Sequence, residues 1–237
     1  AILVGISVFF FGGLDWFLLL SVFFISSMLL TRIKNARKEE ANRNFAKGGV
    51  RDFWQVAANG AIAALSAVAF YFYKNELFLY SFIAAVSTMT FDTWATEAGI
   101  LGKSNPVLVT TGRQVRVGTS GAISAQGTLI GVCAYYFYSI FYSPLAAVVI
   151  APSLWLFLAV SLAGGFFGSL ADSYLGATVQ IMYYCTHCKK ETECKTHYCG
   201  QKTTQIRGIG WFDNDFVNLL ASLFGALVGA GVFVLFG

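Results

Sequence analysis

Seven apolar stretches, separated by short polar segments, make up most of the chain. They cover 1–11, 16–31, 52–73, 77–100, 121–141, 145–184 and 216–236. None shows the alternation of a membrane β-strand, so they indicate helices. A helix needs about 20 apolar residues to cross the hydrocarbon core, and most runs approach or exceed that length. The pattern predicts an all-α, polytopic integral membrane bundle of about six or seven apolar segments, with 1–237 as a single transmembrane domain.

Two runs do not fit a simple span. Residues 1–11 are too short, and Gly12-Gly-Leu-Asp15 after them is typical of a turn. The interpretation is either a helical hairpin with a short first arm or one long interrupted helix. The run 145–184 is too long for one span, so we expect its second half to project into the cytoplasm or to break near Gly164-Gly165. The chain opens on Ala1 with no basic stretch, and we expect no signal peptide.

Composition strengthens the membrane assignment. The chain is 57% hydrophobic and 12% charged, whereas an average soluble domain is about a quarter charged. Such a chain cannot cover itself with polar surface in water. Aromatic residues make up 16%, with 23 Phe, which suits lipid-facing and interfacial positions. We expect a membrane as its environment and no nucleic acid partner, and composition leaves open whether copies associate into an oligomer.

The cations are distributed unevenly between the polar segments. Of the 16 Lys and Arg residues, 15 fall in 32–51, 101–120 and 185–215, which alternate with segments holding the remaining one. By the positive-inside rule these three segments are cytoplasmic. The segment 32–51 also mixes Glu39 and Glu40 with its bases, which indicates an amphipathic cytoplasmic segment or a solvated face beside anionic lipid.

Three acidic clusters adjoin the same cytoplasmic segments. The central one is Gly168-Ser-Leu-Ala-Asp172-Ser173-Tyr-Leu-Gly176-Ala-Thr-Val-Gln180, and the others are Asp92-Thr93-Trp-Ala-Thr-Glu97 and Asp213-Asn214-Asp215-Phe-Val-Asn218. A charge at membrane depth costs a few kcal/mol, so it normally faces a protein interior or a wet cavity. Either Asp172 is a buried polar group that fixes helix register, or the three clusters form one polyvalent site facing the cytoplasm.

Two polar stretches could complete such a site. Asp52, Gln55 and Asn59 follow helical spacing and give their helix a polar stripe, which is either interhelical hydrogen bonding or a substrate surface. Gly118-Thr119-Ser120-Gly121 follows three cations and opens the run 121–141. It is either an ordinary helix cap or an anion site, and there is no Walker A pattern anywhere in the chain.

The cysteines indicate a metal site in the segment 185–200. Cys133 lies alone in an apolar run, whereas Cys185-Thr-His-Cys188 and Cys194-Lys-Thr-His197-Tyr-Cys199 form a dense cluster. A CxxC followed by further soft ligands has zinc spacing, and a cytoplasmic loop disfavours disulfides. We expect a small zinc-ribbon-like insert with structural Zn²⁺, held by Cys185, Cys188, Cys199 and either Cys194 or His197.

Together these motifs resemble the membrane family that contains plant phytyl-phosphate kinase and many prokaryotic and animal relatives. The matching pieces, in chain order, are Gly49-Val-Arg51-Asp52 with Gln55 and Asn59-Gly60, Asp92 to Gly99, Gly118 to Gly121, Asp172 to Gln180, and Asp213 to Asn218. More distantly, the motifs are similar to dolichol and phytol kinases and to CDP-diacylglycerol synthases. The basic pair that those synthases carry after their acidic motif is absent here, which favours phosphoryl over cytidylyl transfer.

The resemblance implies a CTP-dependent, Mg²⁺-dependent kinase. It would convert an isoprenoid monophosphate (phytyl, geranylgeranyl or polyprenyl) to the diphosphate at the cytoplasmic membrane face. Asp172, Asp213 and Asp215 would hold Mg²⁺, with Asp92 and Glu97 as further catalytic carboxylates. The nucleotide would contact Thr93, Lys103, Arg113, Arg116, Gly118, Thr119, Ser120 and Gly121. The lipid phosphate would contact Arg51, Gln55, Asn59, Ser173, Gln180, Asn214 and Asn218.

Three rival functions stay open at this stage. An ion- or proton-coupled transporter would also use intramembrane carboxylates, although no inverted repeat is visible, since the clusters at 92, 172 and 213 differ in spacing. A cytidylyltransferase acting on a lipid phosphate would need similar carboxylates. A non-catalytic scaffold would use the cysteine segment to bind partners.

Overall fold

The computed structural model describes residues 2–33, 35–42, 52–102, 104–146 and 154–237. This part of the chain forms eight helices and five short strands. The helices are α1 (Ile2–Gly12), α2 (Leu14–Arg32), α3 (Ala36–Asn42), α4 (Phe53–Tyr73), α5 (Glu76–Leu101), α6 (Ala125–Ala146), α7 (Leu154–Thr178) and α8 (Asn214–Phe236). The strands are β1 (Val107–Leu108), β2 (Ala122–Ile123), β3 (Met182–Cys185), β4 (Lys190–Thr192) and β5 (Thr204–Arg207).

The long helices coincide with the apolar runs, and four of them are long and apolar enough to cross a membrane. These are α2, α4, α7 and α8, while α1 and the first part of α6 are shorter apolar helices. The predicted mostly helical architecture is therefore confirmed, with four candidate spans among the described helices, and six or seven spans are not confirmed. Gly13, with φ of 87°, separates α1 from α2, and α1 packs against both α2 and α4.

Two details of the predicted helices are wrong. Helix α7 runs without interruption through Gly164 and Gly165, because those glycines lie in helix contacts and do not break the hydrogen-bond ladder. The run 145–184 is divided near its C-terminal end instead, since α7 stops at Thr178 and β3 begins at Met182. Helix α6 begins at Ala125 and not at 121, because β2 comes first.

Helix α5 is the centre of the bundle. It packs against α2, α4, α6, α7 and α8, and its residues 79–91 are almost entirely buried, among them Tyr80, Phe82 and Ile83. Small residues allow this closeness: Gly164 and Gly229 approach Ala84, and Gly168 and Gly225 approach Thr88. The Thr88 hydroxyl donates to Gly164 O at 2.9 Å. Close backbone approach and interhelical hydrogen bonds commonly stabilise the association of membrane helices.

The all-α expectation misses a small β structure. Strands β4, β3 and β5 form an antiparallel sheet in that order, and residues 182–207 that contain it are called the Cys/His module below. The module begins before and ends after the predicted insert 185–200. A second, two-stranded sheet pairs β1 with β2. Strands this short carry too few residues for an alternating pattern to be visible in sequence.

Candidate functional site

The acidic clusters line one cavity of about 440 Å³ between the helices. Its wall contains α4, α5, α7, the first turns of α8 and the loop before β2. Sixteen of the residues proposed from sequence are in that wall: Gln55, Asn59, Asp92, Thr93, Glu97, Gly118, Thr119, Ser120, Gly121, Asp172, Ser173, Gln180, Asp213, Asn214, Asp215 and Asn218. Motifs far apart in sequence therefore meet at one place.

The carboxylates of the cavity have different environments. Asp92 on α5 accepts a hydrogen bond from the Ser169 hydroxyl of α7 at 3.2 Å. Asp172, one turn along α7 from Ser169, is close enough to Asp92 to interact with it electrostatically. Asp213 caps α8 by accepting from the Phe216 N–H at 3.1 Å, which gives it a structural role as well. Asp92 and Asp172, on neighbouring helices, therefore influence each other's charge.

Glu97 has a partner that the sequence did not suggest. Lys38 on α3 lies 2.5 Å from Glu97 Oε2, and both side chains are largely buried. The Thr31 hydroxyl donates to Glu97 Oε1 at 2.8 Å, and Lys38 also donates to the carbonyls of Leu30 and Thr31. Glu97 therefore connects α3 to α2 and α5 beside the cavity, and the ammonium group of Lys38 compensates its negative charge.

The glycine-rich loop 118–121 lies in the cavity wall but does not cap a helix. Strand β2 follows it, and the Ser124 hydroxyl caps α6 by accepting from the Gly127 N–H at 3.0 Å. Gly121 has φ of 79°, and a Cβ there would collide with Ala177 at the end of α7. The loop is thus fixed against α7. Arg113 and Arg116 are exposed and do not line the cavity, and Lys103 lies outside the described residues.

Amide side chains on α4 and α8 also line the wall. Asp52 caps α4 by accepting from the Gln55 N–H at 2.9 Å, which places Gln55 and Asn59 on successive turns facing inwards. Asn59 is only 8% exposed, and its Oδ1 accepts no hydrogen bond from any described residue. Such a buried acceptor is suited to a ligand. Arg51, predicted beside these amides, lies outside the described residues.

A hydrogen-bonded chain joins the glycine-rich loop to the Cys/His module. Ser120 Oγ donates to Gln180 Oε1 at 2.7 Å, and Gln180 Nε2 donates to Glu193 Oε1 at 2.9 Å. Arg207 on β5 donates to the carbonyls of Ala177 and Ser120. Glu193 lines the cavity and sequence reasoning missed it, since it appears as one more charge in a polar segment.

The Cys/His module brings four soft ligands together. Cys185, Cys188, His197 and Cys199 have their ligand atoms within 4.8 Å of one another, and Cys194 is not in this group. The Cys185 and Cys199 Sγ atoms lie 3.7 Å apart. Two thiolates bound to one tetrahedral zinc at about 2.3 Å would be about 3.8 Å apart. Of the two alternatives for a fourth ligand, the structure places His197 in this group and not Cys194, and the four residues could hold a metal.

Two thiols of this group, those of Cys188 and Cys199, differ in pKa. The His197 ring, 3.1 Å from Cys199 Sγ, lowers the pKa of Cys199 to about 6, helped by the Gln201 backbone N–H. A hydrogen bond with Cys199 and burial raise the pKa of Cys188 to about 11. Cys199 therefore forms a thiolate more readily than Cys188, and a thiolate is the form that binds a metal.

Comparison with known proteins places this architecture in a family. The model of the family described as integral membrane protein DUF92 matches residues 1–226. The chain belongs to this family. The resemblance drawn from the acidic and glycine-rich motifs is thereby confirmed, and so is integration into a membrane.

Relatives come from plants and prokaryotes. Protein PGR of Arabidopsis thaliana is 28% identical, covering 90% of this chain and 79% of the relative. An uncharacterised membrane protein of Methanocaldococcus jannaschii is 29% identical over 98% of this chain and 82% of its own length. Protein VTE6, chloroplastic, of Arabidopsis thaliana is 26% identical over 92% of this chain and 60% of its own length. No solved structure matches.

Proposed function

We propose that the protein is a CTP-dependent kinase that phosphorylates an isoprenoid monophosphate to the diphosphate. The observation that carries this proposal is the cavity, whose wall combines carboxylates, buried amides and a glycine-rich hydroxyl loop. Phosphoryl transfer asks an enzyme mainly for positioning and charge neutralisation, and it needs little covalent chemistry. The resemblance to the family of plant phytyl-phosphate kinase supports the same substrate class.

The charge of the cavity supports a divalent cation. Six carboxylates line it, and no Lys or Arg is among the described residues of its wall: Asp92, Glu97, Asp172, Glu193, Asp213 and Asp215. Lys38 compensates only Glu97. Carboxylate oxygens are the ligands that Mg²⁺ prefers, and Asp172, Asp213 and Asp215, with Asp92, are the proposed ligands. When bound, Mg²⁺ would neutralise the triphosphate oxygens.

The other residues would orient the two substrates. The backbone and hydroxyls of 118–121, with Thr93, would hold the triphosphate, and Lys103 would approach it from the loop, whereas Arg113 and Arg116 are exposed outside the cavity. The amides Gln55, Asn59, Asn214 and Asn218, with Ser173, Gln180 and Arg51, would orient the lipid phosphate. An oxygen of that phosphate attacks the γ-phosphorus, the bond to the β–γ bridging oxygen breaks, and CDP leaves. The acceptor is already anionic, so no strong general base is required.

The Cys/His module is proposed to hold structural Zn²⁺. Three cysteines and one histidine close a tetrahedral coordination sphere and leave no position for a substrate. The metal would therefore fix the fold of 182–207 and would not take part in the reaction.

The deciding experiment uses detergent-purified protein with Mg²⁺, CTP and a panel of prenyl phosphates. Formation of a prenyl diphosphate and CDP in equal amounts is expected, and omission of Mg²⁺ should abolish both. Absence of turnover with every nucleotide would contradict the kinase, and cation flux into vesicles under the same conditions would favour a transporter.

The cytoplasmic orientation of the site is part of the proposal. Fifteen of the 16 cations lie on the segments that adjoin the cavity and the module, as the positive-inside rule requires for cytoplasmic loops. A cysteine introduced at Ser104, which is exposed, should react with a membrane-impermeant reagent only after the cells are opened. Labelling in intact cells would reverse the orientation.

A further inference from the structure

The cavity wall changes from polar to apolar along the helices that form it. On α7 the wall includes Asp172 and Ser173 near the end of the helix, and it reaches back to Phe166. On α5 it reaches back from Glu97 to Met89. At 1.5 Å per residue this depth is about 10 Å along each helix. The cavity therefore has carboxylates and hydroxyls at one end and hydrocarbon side chains deeper in the bundle.

Two aromatic rings form the deeper part of the wall. Phe91 of α5 and Phe166 of α7 meet edge to face, with their ring centroids 6.0 Å apart. A Cβ at Gly131 of α6 would collide with the Phe91 ring, and Gly165 of α7 is also close to Phe91. Phe91 therefore contacts both α6 and α7. Because Asp92 follows it directly in the chain, the aromatic surface begins beside a carboxylate of the cavity.

The apolar wall is continuous with the outer surface of the bundle. Leu162, Phe166 and Leu170 follow one another at intervals of four residues and so lie along one side of α7. Phe166 and Leu170 line the cavity and are each 36% exposed, whereas Leu162 is 40% exposed and does not line it. The same side of α7 thus passes from the cavity to the surface that faces lipid in a membrane.

We propose that Phe91, Phe166 and Leu170, called the apolar end below, bind the isoprenoid chain of the substrate. The chain enters from the bilayer alongside α7, while its phosphate lies among the polar groups at the other end of the cavity. Apolar walls with a few polar groups that fix orientation are typical of sites for amphipathic small molecules. The inference rests on the proposed function for the identity of the ligand, but it concerns binding and requires no turnover.

Photolabelling of the wild type tests the position of the chain directly. The probe is geranylgeranyl monophosphate with a diazirine in the half of the chain nearer the phosphate, added without nucleotide to protein in phosphatidylcholine vesicles. Label is expected in peptides containing Phe91, Phe166 and Leu170. Excess unlabelled geranylgeranyl monophosphate should suppress it, and the same excess of phosphatidic acid should not.

A pair of leucine variants on one helix tests the contribution of the apolar end. Leu170→Trp adds bulk to the cavity wall, so the unlabelled ligand needed to halve the labelling should rise about 10-fold. Leu162→Trp is the matched control, because Leu162 has similar exposure on the same side of α7 but lies outside the cavity. It should change that concentration by no more than about twofold.

Three results would overturn the inference. Label spread over lipid-facing residues such as Leu227, without suppression by the unlabelled ligand, would mean that the probe only dissolves in the bilayer. Equal suppression by phosphatidic acid would mean that the site takes any phosphate lipid, and equal effects of the two tryptophan variants would exclude Leu170. Suppressible label at the apolar end in a protein that turns over no nucleotide would refute the kinase alone. Turnover with the label elsewhere would refute only this inference.

Discussion

The two candidate binding regions differ in how their residues are distributed along the chain. The Cys/His group takes its ligands from Cys185 to Cys199, whereas the cavity wall runs from Thr31 to Ala221. The Cys/His group needs only one short segment of the chain to fold. The cavity exists only when α4, α5, α7 and α8 are packed together. The two sites should therefore respond differently to mutation. The Cys/His group should lose its metal when a ligand is removed, whereas the cavity should lose function when helix packing or charge is changed.

The largest effect is expected in the module, where ligand loss is all-or-none. Cys185→Ser/Cys188→Ser should reduce bound zinc from about one per chain to none, because two of four ligands are removed. His197→Ala should also lose most of the metal, whereas Cys194→Ser should keep it, since Cys194 is outside the group. Elemental analysis of purified protein measures this. Zinc retained in His197→Ala and lost in Cys194→Ser would reassign the fourth ligand.

The cavity should lose activity without losing metal from the module. Asp172→Asn removes one charge at nearly constant shape, so the bundle should stay folded. If Asp172 holds the cation against the triphosphate, turnover should fall by about three orders of magnitude or more, about 4 kcal/mol. The assay is prenyl diphosphate formation, with zinc content as the second readout. Asp15→Asn in α2 is the control, since Asp15 does not line the cavity. Normal turnover in Asp172→Asn would remove this carboxylate from the cation site.

The sequence predicted the local features better than the dispersed ones. Helix positions and the candidate ligands Cys185, Cys188 and Cys199 could be predicted because apolar runs and CxxC spacing are local. The acidic motifs were grouped correctly into one wall because each adjoins the same side of the bundle. Lys38 and Glu193 could not be found from the sequence, because an ion pair between residues 59 positions apart and a carboxylate that follows β4 reach the site only through packing.

The roles of the glycines could not be predicted from the sequence either. Gly164 and Gly165 look like a helix break in sequence, but in α7 they make room for Ala84 and for the backbone of α5. Propensity alone favours a break there, and tertiary packing overrides it. Gly121 was placed at the start of a helix, yet its positive φ serves a loop that rests on Ala177. Whether a glycine ends, kinks or packs a helix is decided by its neighbours in space.

Two ion pairs allow the role of packing to be measured. Lys38–Glu97 beside the cavity is buried and 2.5 Å long, whereas Lys190–Glu40, which joins the module to α3, is exposed and 2.8 Å long. Lys38→Met leaves Glu97 buried without its partner and should lower the free energy of unfolding by about 3–5 kcal/mol. Lys190→Met should cost at most about 1 kcal/mol, because water already solvates that pair. Reversible denaturation in detergent compares them.

A double variant separates the contribution of the Lys38–Glu97 ion pair to stability from the cost of leaving one charge alone. Lys38→Met/Glu97→Gln removes both charges at once and should recover most of the stability lost in Lys38→Met, since the cost comes from an uncompensated carboxylate. Equal losses in the buried and the exposed pair would show that α3 is not anchored through Glu97. A double variant as unstable as Lys38→Met would assign the loss to packing of the lysine stem.

The smallest effect concerns the junction where the glycine-rich loop meets the end of α7. Gly121 and Gly112 both have positive φ, at 79° and 66°, but only Gly121 is crowded, because nothing lies within 4 Å of a Cβ at Gly112. Alanine at either position bears the strain of that backbone conformation, so subtracting the two losses isolates the collision with Ala177. Gly121→Ala should therefore be less stable than Gly112→Ala by about 1–3 kcal/mol, the usual cost of overpacking. The collision can be relieved only by moving the loop away from α7, and that movement would lengthen the hydrogen bond from Ser120 to Gln180. Gly121→Ala should accordingly raise the KM for nucleotide while Gly112→Ala does not, and equal stability and equal KM in the two variants would mean that the loop is not held against α7.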